Sequence, residues 1–212
     1  MTRTFCLGVD IGQRQDHSAV CLVERLPSKV VVRLLIKYPL GTPYDLLVRT
    51  VAELVGSVQR EGDIEGFTVD ATGVGAAPSQ MFQEVLPDLR VDAFIFSNKT
   101  KRELVGHVKV LHAFGRLRFA TRKGDEVYNR TLTELLTEMK QLQVKVLRES
   151  EQHPEVEVFK TGAHDDLFTA LALAVKDIRF DNVGRDVAFV EDTTWVQIPE
   201  LAPSDSASVL LF

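Results

Sequence analysis

The sequence predicts an α/β layered domain around a mixed five-stranded sheet with flanking helices. Three observations carry this. Three alternating, strand-like segments follow one another near the start, with short turns between them. Two more strand-like segments are each reached through a helical stretch. No repeat or low-complexity tract interrupts the pattern. The order is three antiparallel strands, a crossover, a parallel strand, a second crossover and a final strand. Right-handed crossovers favour placing strand four beside strand one.

Residues 4–10 alternate, with Phe5, Leu7 and Val9 on one side and Cys6, Gly8 and Asp10 on the other, which is the period of a strand. A polar turn over 12–16 leads to a strand at 18–24, and Pro27-Ser28 turns the chain into a third at 30–38. Leu47, Val51, Leu54, Val55 and Val58 recur at helical spacing, and Gly62 stops that helix. Residues 65–70 form strand four, with Phe67 and Val69 inward. A loop of small residues, 71–77, enters a short helix at 78–85, and 91–96 is strand five. A basic helix follows with Leu104, Val108 and Leu111 in one stripe. The next helix, 128–142, aligns Leu132, Leu135, Leu136, Met139 and Leu142. Residues 144–147 and 156–159 read as hairpin arms. A last helix, 165–178, turns Leu167, Ala170, Leu171, Ala174, Val175 and Ile178 inward. The domain is expected to span 1–180, with 181–212 a partly flexible C-terminal extension.

The 212 residues suffice for one buried core, and 45% hydrophobic against 26% charged content excludes disorder. No apolar run approaches the roughly 20 residues of a membrane helix, and no signal segment precedes the first strand. Cys6 and Cys21 both lie in apolar runs without metal or redox spacing, so a reduced, buried pair is expected. The formal net charge is -5, yet 97–123 holds eight Lys/Arg against Glu103 alone, a local +7 that leaves -12 for the remainder. Such a stretch on an acidic body is a footprint for a polyanion, though a solvated helix face has the same composition.

The carboxylates are the most informative groups. Asp10 and Asp70 each close a strand, opposite its apolar neighbours, and parallel strands would bring both to one sheet edge. His164, Asp165 and Asp166 open the last helix, and Ala170, Ala172 and Ala174 let that helix lie close to the sheet, bringing its start toward Asp10. Taken singly, each acid has a plainer role: Asp165 or Asp166 as helix cap, Asp70 as turn residue, Asp10 as strand end. Taken together they repel one another unless a cation intervenes. All-oxygen ligands indicate Mg²⁺ or Mn²⁺, and two such ions about 3.5–4 Å apart can serve an in-line phosphoryl displacement.

Three segments, GVDIGQRQDHSA at 8–19, VDATGVG at 69–75 and GAHDDLFTALALA at 162–174, resemble the nuclease domain of tailed-phage terminase large subunits, and LTELL at 132–136 fits as well. The likeness covers about residues 4–178. It implies an RNase H-like fold, two Mg²⁺ or Mn²⁺ ions and endonucleolytic cutting of concatemeric viral DNA during packaging. The matching ligands are Asp10, Asp70 and the Asp165/Asp166 pair, and the hairpin corresponds to a feature near the family's active site. Double-stranded DNA is the implied substrate, with Lys99, Lys101, Arg102, Lys109, Arg116, Arg118, Lys145 and Arg148 as contacts. Portal protein and the small terminase subunit are implied partners, and the bacterial host cytoplasm the implied location. The chain departs from complete large subunits in having no G-x-x-x-x-G-K-[ST] phosphate loop, so neither nucleotide binding nor motor activity is expected. A RuvC-like junction resolvase shares the carboxylate layout, and a non-catalytic DNA- or portal-binding module shares the fold. Both remain open at this point.

Overall fold

A computed structural model describes residues 2–12, 16–119, 121–148, 155–160 and 164–180, with side chains described outside 143–148 and 155–160. Strands β1 (Arg3–Asp10), β2 (Ala19–Arg25) and β3 (Val30–Lys37) form the antiparallel meander. Helix α1 (Tyr44–Glu61) crosses over, and β4 (Gly62–Asp70) follows without a loop. It pairs parallel to β1, with Val9 opposite Val69. A 3-10 turn at Gly73–Gly75 leads through α2 (Ala76–Val85) to β5 (Asp92–Phe94), parallel to β4. The expected neighbours, strands one and four, are therefore in place.

Among the described residues the sheet has six strands in the order β5-β4-β1-β2-β3-β6, where five were expected. The extra strand β6 (Leu117–Phe119) follows α3 (Asn98–Ala113) and lies parallel to the start of β3. Three residues are too few to show alternation, so only the open edge of β3 reveals them as a strand. Helix α4 (Glu126–Gln141) is followed by a separate hairpin, β7 (Leu142–Arg148) with β8 (Glu155–Lys160), and then by α5 (Asp166–Val175). β8 runs beside α3. The expected 181–212 extension lies outside the described residues.

Both faces of the sheet are covered, which is why its central strands are apolar on both sides. Phe5, Leu7, Val9, Val20 and Leu22 pack with α1 and α2 on one face. Cys6, Cys21, Val23 and Val32 pack with α3, α4 and α5 on the other. Cys6 and Cys21 are buried and free, as their apolar setting predicted, and burial pushes the Cys6 thiol up to about 11. Leu167 and Leu171 are fully buried, worth about 1.5–3 kcal/mol each. Among the described residues, no helix is long and apolar enough to cross a membrane.

One contact sets the position of α5. A Cβ on Gly8 would stand 2.1 Å from the Ala170 carbonyl oxygen and 2.4 Å from the Ala174 nitrogen. Only glycine lets the helix backbone lie this close to β1. The small residues of α5 complete the approach, and its N-terminus is thereby aimed at the end of β1.

Candidate metal centre

Asp10 and Asp70 follow the paired residues Val9 and Val69 on adjacent parallel strands, whose axes lie about 4.8 Å apart. Both side chains therefore emerge at one edge of the sheet. Asp10 is on the face that carries α5, the face of Cys6 and Gly8. Its carboxyl is held well above the ordinary carboxylate range. Burial contributes most, followed by the charges of Asp70, Asp166 and Asp165 and a hydrogen bond shared with Asp70. The four acids singled out in the sequence thus act on one point from β1, β4 and the start of α5. Carboxyls crowded in this way are relieved by a divalent cation held between them.

Asp70 also shapes its own turn. Its Oδ1 accepts the Thr72 N–H at 2.8 Å. The following turn folds back so tightly that a Cβ on Gly75 would stand 1.9 Å from the Asp70 carbonyl oxygen. Gly73, at φ 60°, supplies the left-handed residue that this return requires. Asp70 is therefore both a turn residue and a member of the cluster.

Asp165 occupies the N-cap position of α5 but makes no side-chain cap hydrogen bond. Its Oδ2 instead lies 3.1 Å from Lys101 Nζ. Asp166 is the more deeply buried of the two, and it raises Asp10 more strongly than Asp165 does. The missing cap is supplied from another helix: Glu138 Oε2, on α4, accepts the Phe168 N–H at 2.8 Å. The Glu138 carboxyl is pushed up to about 7 by burial, with Asp166 and Asp165 adding to the rise and the Phe168 N–H and Lys37 opposing it. Glu138 belongs to no motif in the sequence. Its signal was its place three residues after Leu135 and four before Leu142, inside the buried stripe of α4.

The basic segment is not one helical face. Ser97 and Thr100 form a capping box that starts α3, and this places Lys101 against the carboxylates. Lys99 is largely exposed beside Glu103, Arg102 bonds the Asn98 carbonyl of its own helix, and Lys109 is exposed. Arg116 stacks over Phe180. Arg118 is on β6, opposite Val31, which stands in register with Glu24 and then Phe5. That register puts Arg118 five residues back from Asp10 along the strand direction, about 17 Å at 3.3 Å per residue. Arg122 packs over Tyr128 and bonds the Arg33 carbonyl. The structure thus brings Lys101 to the cluster and leaves Arg116 and Arg118 at the opposite end of the sheet. The side chains of Lys145 and Arg148 lie outside the described ones.

Two further groups border the cluster. His164 precedes Asp165, and its ring meets that of His17 edge-on, with centroids 5.8 Å apart. His17 Nδ1 is 2.7 Å from the Tyr38 carbonyl oxygen. Next to this pair opens a cleft of about 460 Å³ lined by His17, Lys37, Tyr38, Pro39, Arg130, Thr131 and Glu134. Its two cations, Lys37 and Arg130, come from outside the basic segment.

No family model matches the chain, and no curated protein matches it. Solved structures do. The large terminase nuclease of thermophilic phage G20c superposes with a TM-score of 0.55 at 20% identity, covering 84% of this chain and 83% of that one. The nuclease domain of the Thermus phage P74-26 large terminase gives 0.56 at 18%, covering 82% and 78%. The human cytomegalovirus terminase nuclease domain gives 0.57 at 13%, covering 82% and 84%. The G20c nuclease has also been solved with bound magnesium, and the cytomegalovirus domain after a manganese soak. The chain has the mixed-sheet, RNase H-like fold of the large terminase nuclease domains of phages and cytomegalovirus.

Proposed function

We propose that the chain is a metal-dependent endonuclease that cuts concatemeric viral DNA during genome packaging. The observation that carries this reading is the convergence of Asp10, Asp70, Asp165 and Asp166 on one edge of this fold, with the Asp10 carboxyl raised by its neighbours. The all-oxygen donor set suits two Mg²⁺ or Mn²⁺ ions, held by Asp10, Asp70 and the Asp165/Asp166 pair. When bound, such ions offset charge on a phosphodiester and ease its in-line attack by water.

The chain's own residues set the stage for that chemistry. Gly8 lets α5 approach β1, and Glu138 fixes the first turn of α5, so that Asp165 and Asp166 face Asp10. Lys101 Nζ, 3.1 Å from Asp165 Oδ2, offsets part of the cluster's negative charge. Lys99, Lys101, Arg102 and Lys109 along α3, with Lys145 and Arg148 on the adjoining hairpin, are the proposed phosphate contacts nearest the site. Arg116 and Arg118 would meet DNA only where it runs on past the far end of the sheet. Such contacts position a duplex without reading its bases. Portal protein and the small terminase subunit are the protein partners this role implies, and the host cytoplasm is its compartment.

The test is incubation with supercoiled plasmid in Mn²⁺, in Mg²⁺ and in EDTA, with a four-way junction alongside. Nicking and linearisation in metal alone support the proposal. Cutting confined to the junction would replace packaging with junction resolution, and metal binding without any cutting would make the chain a binding module.

A further inference from the structure

Asp10 pairs with Ala19 of β2, and Ala19 pairs with Lys37 of β3. Directly opposed residues share a face of the sheet. Lys37 therefore leaves the sheet at the edge, and on the face, of the carboxylate cluster. Two strand spacings separate it from Asp10, about 10 Å. Its Nζ is held 3.0 Å from Oε2 of Glu134, on α4. Arg130 stands one helical turn before Glu134 and is exposed. These three residues line the cleft of about 460 Å³ with His17, Tyr38, Pro39 and Thr131. His17 forms the wall toward the cluster. Its Nδ1–H donates to the Tyr38 carbonyl, which fixes the ring beside His164.

The cleft differs from the cluster in sign. Among the described residues its lining sets two cations against one acid, Glu134. The cluster beside it gathers four carboxylates. The cations of the basic segment reach that cluster from the other side. Helix α3 begins by the end of β4, where the Phe96 N–H donates to Thr72 Oγ1 at 2.9 Å, and Lys101 follows on its first turn. The carboxylates thus lie between Lys101 on the β4 side and Lys37 with Arg130 on the β3 side. A polyanion repelled by the acids is attracted on both flanks. One DNA strand carries a phosphate about every 3.4 Å of helix axis. A duplex lying over Asp10 would therefore present a phosphate at the cleft within about three nucleotides.

We propose that the cleft of Lys37 and Arg130 is a second phosphate-binding site for DNA, on the side of the carboxylates opposite Lys101. This rests on the nuclease reading for its substrate. The duplex then crosses the sheet edge from α3 to α4, held on both sides of the bond to be cut.

The probe is a short labelled duplex of arbitrary sequence, bound by the full chain in Ca²⁺ and followed by fluorescence anisotropy over a salt series. Arg130→Glu and Lys37→Met should each weaken binding at least about fivefold at low salt. Each should also flatten the slope of log affinity against log salt by about 0.9, one phosphate contact. Lys29→Glu makes the same charge change as Arg130→Glu at the other end of β3, about 26 Å from Lys37. It should leave affinity within about twofold of wild type. Arg130 is exposed, so Arg130→Glu decides the matter should Lys37→Met fold poorly. Wild-type affinity and slope in Arg130→Glu would overturn the proposal, as would an equal loss in Lys29→Glu. Weakened binding in Arg130→Glu, with no plasmid cutting by the wild type in Mn²⁺, would support the cleft and count against the nuclease reading alone.

Discussion

Glu138 Oε2 accepts the Phe168 N–H at 2.8 Å, so α5 is capped by a carboxylate from α4 and not by its own leading acids. Asp165 and Asp166 are left to face Asp10. Replacing Glu138 by Ala strands a buried N–H, which costs about 1–3 kcal/mol. Glu138→Gln keeps an acceptor. Thermal melts should show Glu138→Ala well below wild type and Glu138→Gln close to it. Equal losses in both would mean that the charge, not the cap, is what matters.

The pH dependence of the metal-free protein follows from the same cluster. Glu138, raised from 4.5 to about 7, and Asp10, also raised, hold protons in the folded state that the unfolded chain has released. Between about pH 4.5 and 7 the folded state binds more protons, so stability falls as pH rises. A divalent ion favours the ionised carboxylates and reverses this trend. The melting temperature in EDTA should decline across that interval, and the increment produced by Mn²⁺ should grow. A metal increment that shrinks from pH 5 to 7.5 would contradict the cluster's electrostatics.

Gly8→Ala tests the approach of α5. The added Cβ meets backbone atoms, Ala170 O at 2.1 Å and Ala174 N at 2.4 Å, so the helix must shift as a whole. A loss of about 1–3 kcal/mol is expected, together with weakened Mn²⁺ binding as Asp165 and Asp166 move off Asp10. Denaturant melts and Mn²⁺ titration measure the two effects. Wild-type metal affinity in this variant would mean that the helix position does not set the site.

Charge reversal separates the two ends of the basic segment. Lys101→Glu with Arg102→Glu should weaken binding of every DNA sequence alike and flatten its salt dependence by about one to two phosphate contacts. Arg118→Glu, at the far end of the sheet, should weaken binding less and leave plasmid cutting nearly intact. Filter binding over a salt series decides. An Arg118→Glu effect equal to the paired reversal would place the DNA across β6.

The meander, the crossovers and the juxtaposition of β1 with β4 were legible because alternation, Pro27 and Gly62 mark them locally. β6 was not, because Leu117–Phe119 becomes a strand only through the edge of β3. The convergence of Asp10 and Asp70 followed from topology, since each ends a strand. Glu138 was hidden by its type: an acid on an amphipathic helix usually faces water, and only its place in the buried stripe betrayed it. The basic segment misled in one respect. Its charges are contiguous in sequence, but the turn at Gly115 carries Arg116 and Arg118 away from Lys101.

Asp70→Asn keeps the size of the side chain and the acceptor for the Thr72 N–H while removing a charge from beside Asp10. The most direct measurement is supercoiled-plasmid cutting by wild type and this variant, side by side in Mn²⁺, with melts of both in EDTA. The account predicts nicked and linear DNA from the wild type and a loss of about a hundredfold or more in the variant. It also predicts that the variant melts no lower than wild type, because a repulsion has been relieved. Full cutting by Asp70→Asn, or wild-type cutting that persists in excess EDTA, would contradict it.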